Sequence, residues 1–203
     1  TIGDLSAGDN YTLDFTSADF GINQQTLTIT ADAGQSKIYG QVDPTFSFSS
    51  SGFVNGEDES ILTGALSREP GEDVGSYTLT LGDLSAGGNY ALDFTPADFG
   101  INQQTLSITA DAGQSKTYGQ ADPIFTFSSG GFVNGEDESL LTGALSRESG
   151  EVVGSYTLTI GDLSAGGNYA LDFTSADFGI NQQTLSITAE ADQSKTYGQA
   201  DPT

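Results

Sequence analysis

A fixed period of 79 residues is the feature that most constrains how this chain can fold. The string GDLSAG begins at Gly3, Gly82 and Gly161, with no insertion between the copies. Aligning 25–103 with 104–182 leaves only 11 differences in 79 positions. A long, exact period indicates repeated units of one architecture. We therefore interpret the chain as a tandem array of near-identical modules.

The ends of the chain do not coincide with the ends of a module. Residues 25–103 and 104–182 are two complete modules. Residues 1–24 match the C-terminal part of a preceding repeat, and residues 183–203 match the N-terminal part of a following repeat. Together these two pieces lack a 34-residue middle, so joining them cannot complete a third module. The sequence therefore predicts a window of a longer array.

Acidic residues outnumber basic residues throughout the chain. There are 28 Asp and Glu against 5 Lys and Arg, a net charge of −23, and the module 25–103 alone carries −9. Nucleic acid is excluded as a partner because phosphate binding needs clustered bases. An anionic membrane surface would repel the chain, and no apolar run is long enough to predict membrane insertion.

Four residue types with special chemistry are absent: Cys, His, Met and Trp. Their absence removes thiolate and imidazole metal ligands, Cys or His nucleophile pairs, and disulfides. We therefore predict that the chain is not an enzyme. We assign it no catalytic residue, no cofactor-binding residue and no metal ligand.

Short alternating apolar runs, separated by Gly, Asn and Asp, predict an all-β module. In the first run Leu27, Ile29 and Ala31 share one face, which we expect to lie against the core. The pair Asn55–Gly56 predicts a tight turn, and a strand or short turn of helix is expected over 61–66. Later runs predict strands over 77–81, 90–94 and 99–101.

Six or seven short strands in 79 residues favour an antiparallel β-sandwich module, joined end to end with its neighbours. Tyr77 and its equivalent Tyr156 follow a Val-Gly-Ser string in the manner of the tyrosine corner of immunoglobulin-like domains. Val152 takes the place of Asp73 in the second copy, so the pattern rests on the Gly and the Tyr. A β-grasp-like module is the alternative.

The connection between modules consists of the three residues Asn-Gln-Gln at 102–104, and the same string recurs at 23–25 and 181–183. Flexible linkers are longer and rich in Gly and Ser. The short polar junction therefore predicts that adjacent modules are stiffly coupled. Many such modules in series would form a rod.

Three strings resemble the MBG and YDG class of repeats: SKTYGQADP at 115–123, GFVNGEDES-x-LTGALSRE at 52–69, and VGSYTLT-x-GDLSAGGNYALDF at 74–94. The resemblance spans the entire chain. It implies tandem copies within very large bacterial proteins, including adhesin-like ones, that are extracellular or on the cell surface. The resemblance brings no catalytic residue with it.

The densest acidic clusters are the Glu-Asp-Glu strings at 57–59 and 136–138. Together with Asp43 or Asp32, the first could offer oxygen ligands to Ca²⁺. Its spacing matches no EF-hand or nonapeptide signature, so a solvated loop is the favoured interpretation.

Two further roles for acidic residues follow from their positions. Ca²⁺ could relieve repulsion between modules, and Asp98 and Asp177 are the candidates because they lie near the module ends. The pairs Asp93 with Asp98, or Glu57 with Glu59, are carboxylates of the kind that glycoside hydrolysis uses. Surface charge for solubility is the favoured interpretation.

Two other residue types in the repeat suggest binding or cross-linking. The tyrosines of the YGQ strings, Tyr39, Tyr118 and Tyr197, could stack on sugars, although packing is favoured. Lys37 and Lys116 could form an isopeptide bond, the first with Asn55 or Asn89. An ordinary salt bridge is expected instead because the surroundings are rich in acids.

These features together predict a non-catalytic spacer in the stalk of a bacterial extracellular fibre or surface adhesin. The partners expected are neighbouring repeats of the same chain, and other copies of the fibre if chains associate. A repeated glycan-binding module and a self-associating filament subunit are the two alternatives.

Overall fold

The computed structural model describes residues 2–201. The chain separates into two compact units, with the division between Asn102 and Gln103. Both units are built from β-sheets, so the predicted all-β class is confirmed. Helix in the described residues is confined to the single 3-10 turns Glu59–Ile61 and Glu138–Leu140. Neither is long or apolar enough to cross a membrane.

The strands are short because Gly, Asn or Asp ends each apolar run. The first module contains β1 (Gln25–Ala31), β2 (Ser36–Ile38), β3 (Phe48–Ser51), β4 (Ser67–Arg68), β5 (Gly75–Thr80), β6 (Tyr90–Thr95) and β7 (Asp98–Asn102). The second module repeats them in the same order as β8 (Gln104–Ala110), β9 (Ser115–Thr117), β10 (Phe127–Gly130), β11 (Ser146–Arg147), β12 (Gly154–Thr159), β13 (Tyr169–Thr174) and β14 (Asp177–Asn181).

The strands of each module form two sheets of mixed direction. The first sheet has the order β3-β1-β6, and the second has the order β2-β7-β5-β4. Strand β1 runs antiparallel to β3 but parallel to β6, and β2 runs parallel to β7. The second module has the same orders and directions, β10-β8-β13 and β11-β12-β14-β9.

The prediction of an antiparallel module is therefore wrong for two of its strand pairs, β1 with β6 and β2 with β7. Alternation of apolar residues indicates which face of a strand is buried, but it does not indicate the direction of the neighbouring strand. Parallel neighbours need a long crossover connection, and here the chain visits both sheets between β1 and β6. The β-grasp alternative also differs from the observed arrangement, because the described strands of a module divide into two sheets.

The buried apolar residues come from both sheets. In the first sheet Leu27, Ile29 and Ala31 of β1 are buried, which confirms the predicted inward face of this strand. In the second sheet the fully or almost fully buried residues are Leu79, Phe99 and Ile101. Their equivalents in the second module are buried to the same degree: Leu106, Ile108, Ala110, Leu158, Phe178 and Ile180. Apolar burial of this kind is the main favourable contribution to folding.

The predicted turn at Asn55–Gly56 is confirmed. Both residues have positive φ, 57° and 80°, and the Glu57 amide donates a hydrogen bond of 3.1 Å to the Val54 carbonyl. Asn and Gly tolerate this left-handed conformation better than other residues do. The element predicted over 61–66 forms only in part, because the 3-10 turn ends at Ile61.

The tyrosine that suggested a tyrosine corner bonds back to the main chain. The Tyr77 hydroxyl donates a 2.8 Å hydrogen bond to the carbonyl of Asp73, and Tyr156 does the same to the carbonyl of Val152. The acceptor is a backbone oxygen, so the exchange of Asp for Val at this position leaves the interaction intact.

The described residues at 2–24 and 182–201 form no strand. Residues 183–189 repeat the sequence of β8, but β8 is held by β10 and β13 of its own module. Strand pairing therefore depends on residues from both halves of one module.

Candidate functional site

An ion-pair cluster in the second sheet contains both basic residues of the first module. It consists of Lys37, Asp43, Arg68 and Glu72. Lys37 Nζ lies 2.7 Å from Asp43 Oδ1 and 2.5 Å from Glu72 Oε2. Arg68 Nε lies 2.7 Å from Asp43 Oδ2, and Arg68 Nη2 lies 2.5 Å from Glu72 Oε1. Each carboxylate therefore bridges the same two cations.

The cluster joins the two edges of the second sheet. Lys37 belongs to the edge strand β2, and Arg68 belongs to β4 at the opposite edge. The Arg68 guanidinium lies over the rings of Tyr77 in β5 and Phe99 in β7, at 5.1 Å and 5.7 Å from their centroids. Cation–π contacts of this kind add to the attraction of the ion pairs. All four strands of the sheet therefore take part in the cluster: β2 and β4 supply the two bases, and β5 and β7 supply the two aromatic rings.

Burial of the two cations distinguishes this cluster from ordinary surface ion pairs. The side chains of Lys37 and Arg68 are only 3% and 5% exposed, whereas those of Asp43 and Glu72 are 33% and 67% exposed. Arg68 Nη1 also donates to the carbonyls of Glu69 and Gly71. Buried cations require this degree of pairing, because an unpaired buried charge is strongly unfavourable.

The second module reproduces the ion-pair cluster with Lys116, Asp122, Arg147 and Glu151. Lys116 Nζ lies 2.7 Å from Asp122 and 2.5 Å from Glu151. Arg147 lies 2.7 Å from Asp122 and 2.6 Å from Glu151, and its guanidinium covers the rings of Tyr156 and Phe178. The cluster is therefore a property of the module.

The cluster shifts the protonation equilibria of its members. Hydrogen bonds from Arg68, and then from Lys37, lower the pKa of the Asp43 carboxyl against the opposing effect of partial burial. Lys37 is the largest cause of the lowered pKa of Glu72. Burial lowers the pKa of the Lys37 ammonium, but the two carboxylates together outweigh it, and this pKa is raised overall.

We expect acid to destabilise each module. The pKa values of Asp43 and Glu72 are lower in the folded module than their ordinary values of 3.8 and 4.5, so unfolding takes up protons in acid. The stabilisation is complete above pH 4.5 and is lost as the pH falls through the folded pKa values. Urea midpoints measured between roughly pH 6 and pH 3 should therefore fall with pH. A midpoint that rises on acidification would show that relief of repulsion among the other carboxylates dominates.

The acidic loop at 57–59 does not gather its carboxylates at one point. Glu57 accepts a 2.5 Å hydrogen bond from the Tyr90 hydroxyl, Asp58 accepts one from the Ser60 amide at the start of the 3-10 turn, and Glu59 accepts one from Ser50. No group of three or more acidic side chains in residues 2–201 is placed to hold a metal ion. Each of the three acidic side chains therefore has a hydrogen-bond partner of its own.

The carboxylate pairs considered for hydrolysis lie in different strands or have different hydrogen-bond partners. Asp93 lies in β6 of the first sheet, whereas Asp98 begins β7 of the second sheet. Glu57 and Glu59 have different hydrogen-bond partners. Asp98 and Asp177 remain candidates for calcium only as sequence predictions.

The three YGQ tyrosines do not have a common environment. Tyr39 is buried and 7% exposed, Tyr118 is 52% exposed, and Tyr197 is fully exposed outside the folded modules. A polar cleft of about 300 Å³ in the first unit is lined by Asn23, Asn55, Glu57, Asn89, Tyr90 and neighbouring residues. The Tyr90 ring is buried, so this cleft offers no open aromatic face for a sugar.

Lys37 has the partners expected of a salt bridge. Its Nζ contacts carboxylates of Asp43 and Glu72, not the side chain of Asn55 or Asn89, so the isopeptide interpretation is wrong. The sequence predicted a salt bridge of Lys37, but it did not predict that the Lys37 side chain is buried or that Arg68 shares its carboxylate partners. The available signal was that each module has one Lys and one Arg, always at the same positions.

A family model for the MBG domain of the YGX type matches residues 27–100 and again residues 106–179. The chain belongs to this MBG domain family. MBG domains are tandem repeats in surface proteins, and this chain carries two in succession. A search among curated proteins found no significant match.

The Tyr-Gly-Gln string of each MBG domain forms a tight turn. The Gln41 amide donates a 3.0 Å hydrogen bond to the Ile38 carbonyl, and Gly40 has a φ of 83°. The Gln41 side chain closes the turn by accepting from the Ile38 amide at 3.2 Å. This turn follows β2 and leads to Asp43, so the motif delivers one carboxylate of the ion-pair cluster.

Proposed function

We propose that this chain is a non-catalytic spacer in the stalk of a bacterial extracellular fibre or surface adhesin. The observation that carries the proposal is that two consecutive residues of the junction are hydrogen-bonded within different units, Asn102 within the first and Gln103 within the second. The Asn102 carbonyl accepts a 2.8 Å hydrogen bond from the Tyr39 amide within the first unit. Gln103 Nε2 donates to the carbonyls of Gly167 and Tyr169, both at 3.1 Å, within the second unit.

The same glutamine interaction occurs at the entry to the first MBG domain. Gln24 Nε2 donates to the carbonyls of Gly88 and Tyr90 at 3.0 Å and 3.2 Å. Flexible linkers need several unconstrained residues. At this junction the consecutive residues Asn102 and Gln103 are both hydrogen-bonded, so no unconstrained residue separates them. A connection of this kind favours transmission of force and spacing along an array.

The proposal extends to the architecture of the module. Each sheet has one buried apolar side, which supports a sandwich of the two sheets as the repeating unit.

Both cations of each module lie in the ion-pair cluster, so the remaining carboxylates have no basic partner within the module and give it a uniformly anionic surface. High net charge of one sign favours solubility and opposes association of identical copies.

The two alternatives have less support. A glycan site in every module would need an open aromatic ring, and the Tyr39 ring of the first module is buried. Lateral assembly of a filament would bring surfaces of like charge together. The stalk interpretation meets neither difficulty.

Spin labels on the two modules test the junction directly, because the chain has no native Cys. We expect Asp32→Cys with Asp111→Cys, both in exposed turns, to give a narrow distribution of distances by double electron–electron resonance. The matched control carries the same labels and an insertion of about eight Gly and Ser residues between Asn102 and Gln103, which should broaden the distribution. Equally broad distributions in both proteins would contradict the stalk proposal.

A further inference from the structure

Every Lys and Arg of the two modules lies in an ion-pair cluster. The side chains of Lys37, Arg68, Lys116 and Arg147 are between 3% and 6% exposed. Lys195, the remaining base of the chain, lies outside the folded modules in a segment without strands, and its side chain is 47% exposed. The exposed surface of each module therefore presents carboxylates and almost no cationic side chain.

This distribution matters to one large class of endopeptidases, those that cut after Lys or Arg. Such an enzyme binds the basic side chain in an acidic pocket. It also needs the surrounding main chain to be accessible, which in folded proteins is a property of exposed loops. In the native modules neither condition is met at Lys37 or Arg68. Their side chains are buried, and their backbones are paired within β2 and β4.

The two strands concerned are short edge strands, which are places where a folded module can open locally. Strands β2 and β4 are the edges of the second sheet and are only three and two residues long. Short edge elements with few contacts open locally at a small cost in free energy. Asp43 and Glu72 each bind the bases of both strands, so releasing either edge requires breaking ion pairs of the cluster.

We propose that the ion-pair cluster protects the array from endopeptidases that cut after Lys or Arg, because it keeps the side chain of every Lys and Arg of each module buried. Cleavage of a native module then requires the cluster to open, and its rate follows the population of the opened form. This protection is independent of the stalk proposal, since it depends on the interior of one module and not on the junction.

Limited digestion of the 203-residue chain with trypsin, followed by mass spectrometry, tests the proposal. We expect rapid cleavage after Lys195 and cleavage after Lys37, Arg68, Lys116 and Arg147 that is slower by roughly 100-fold or more. Cleavage at these four positions at a rate close to that after Lys195 would overturn the proposal.

Two variants distinguish protection by burial of the bases from protection by compact folding of the module as a whole. Thr45→Lys places a base in the exposed, irregular segment between β2 and β3, and we expect trypsin to cut there promptly. Resistance at position 45 equal to that at Lys37 would show that compactness alone protects the module, which contradicts the proposal.

Glu72→Gln weakens the cluster in the first module only. We expect cleavage after Lys37 and Arg68 to accelerate by about tenfold or more, with Lys116 and Arg147 as unchanged internal controls. Unchanged rates in the first module would also contradict the proposal. If the substitution unfolds the module, the wild-type chain and Thr45→Lys still decide the question.

Discussion

Asp43→Asn is expected to lower the free energy of unfolding of the first module by about 2 to 3 kcal/mol. Removing one partner of a fully buried ion pair costs about 3 to 5 kcal/mol, because the other charge is left uncompensated. Here Lys37 and Arg68 are the buried charges, but solvent reaches a third of the Asp43 side chain and reduces the cost. A domain of this size has a free energy of unfolding of about 4 to 12 kcal/mol, so the loss is substantial.

The second module provides an internal control for Asp43→Asn in the same molecule. Hydrogen exchange followed by mass spectrometry should show lost protection in the strands of the first module and unchanged protection in those of the second. Asp32→Asn is the matched substitution, because it removes the same charge from an exposed turn. In a module with a net charge of −9 it should be neutral or slightly stabilising. Equal effects of Asp43→Asn and Asp32→Asn would show that the cluster contributes no specific stability.

Gly64→Ala is expected to destabilise the first module by about 3 kcal/mol or more. Gly64 has a φ of 78°, where a side chain alone costs about 1 to 2 kcal/mol. An added Cβ would also overlap the Asp83 carbonyl and lie 2.9 Å from Asp83 Oδ1. Neither contact can relax easily, because Thr63 and Ser85 exchange backbone hydrogen bonds of 2.9 Å and 2.8 Å beside it.

Gly34→Ala is the matched control for Gly64→Ala. Gly34 has nearly the same φ, 79°, but nothing lies within 4 Å of its added Cβ. It should therefore show only the conformational cost, about 1 to 2 kcal/mol. Urea denaturation of the two variants measures the difference. If they lose the same stability, the close approach of the two backbone segments at Gly64 has no energetic consequence.

Local features of this MBG array were predictable because their causes are local. Alternation alone predicts that Leu27 and Ile29 lie in the core, since successive side chains of a strand point to opposite faces. The pair Asn55–Gly56 predicts a turn because few residues accept positive φ at both positions. The 79-residue period required only the comparison of the chain with itself.

Long-range features were not predictable in the same way. Strand β6 pairs in parallel with β1 although Tyr90 and Gln25 are 65 residues apart in the sequence. Alternation within each strand is compatible with either direction of pairing, so the sequence pattern could not decide between them. The direction of each pairing depends instead on which strands of the module join each of its two sheets.

The candidate site also combines features that the sequence predicts with features that depend on long-range contacts. The repeat sequence alone determined that each module has one Lys and one Arg amid many acids, that the chemistry of Cys and His is absent, and that almost no linker separates the modules. It did not determine which acids meet the two bases. Only the tertiary structure decided this, because Lys37 and Arg68 lie on opposite edges of one sheet and the strands between them set the distance that Asp43 and Glu72 bridge. In the folded MBG domain these two bases are buried, and their ion pairs lie in its interior.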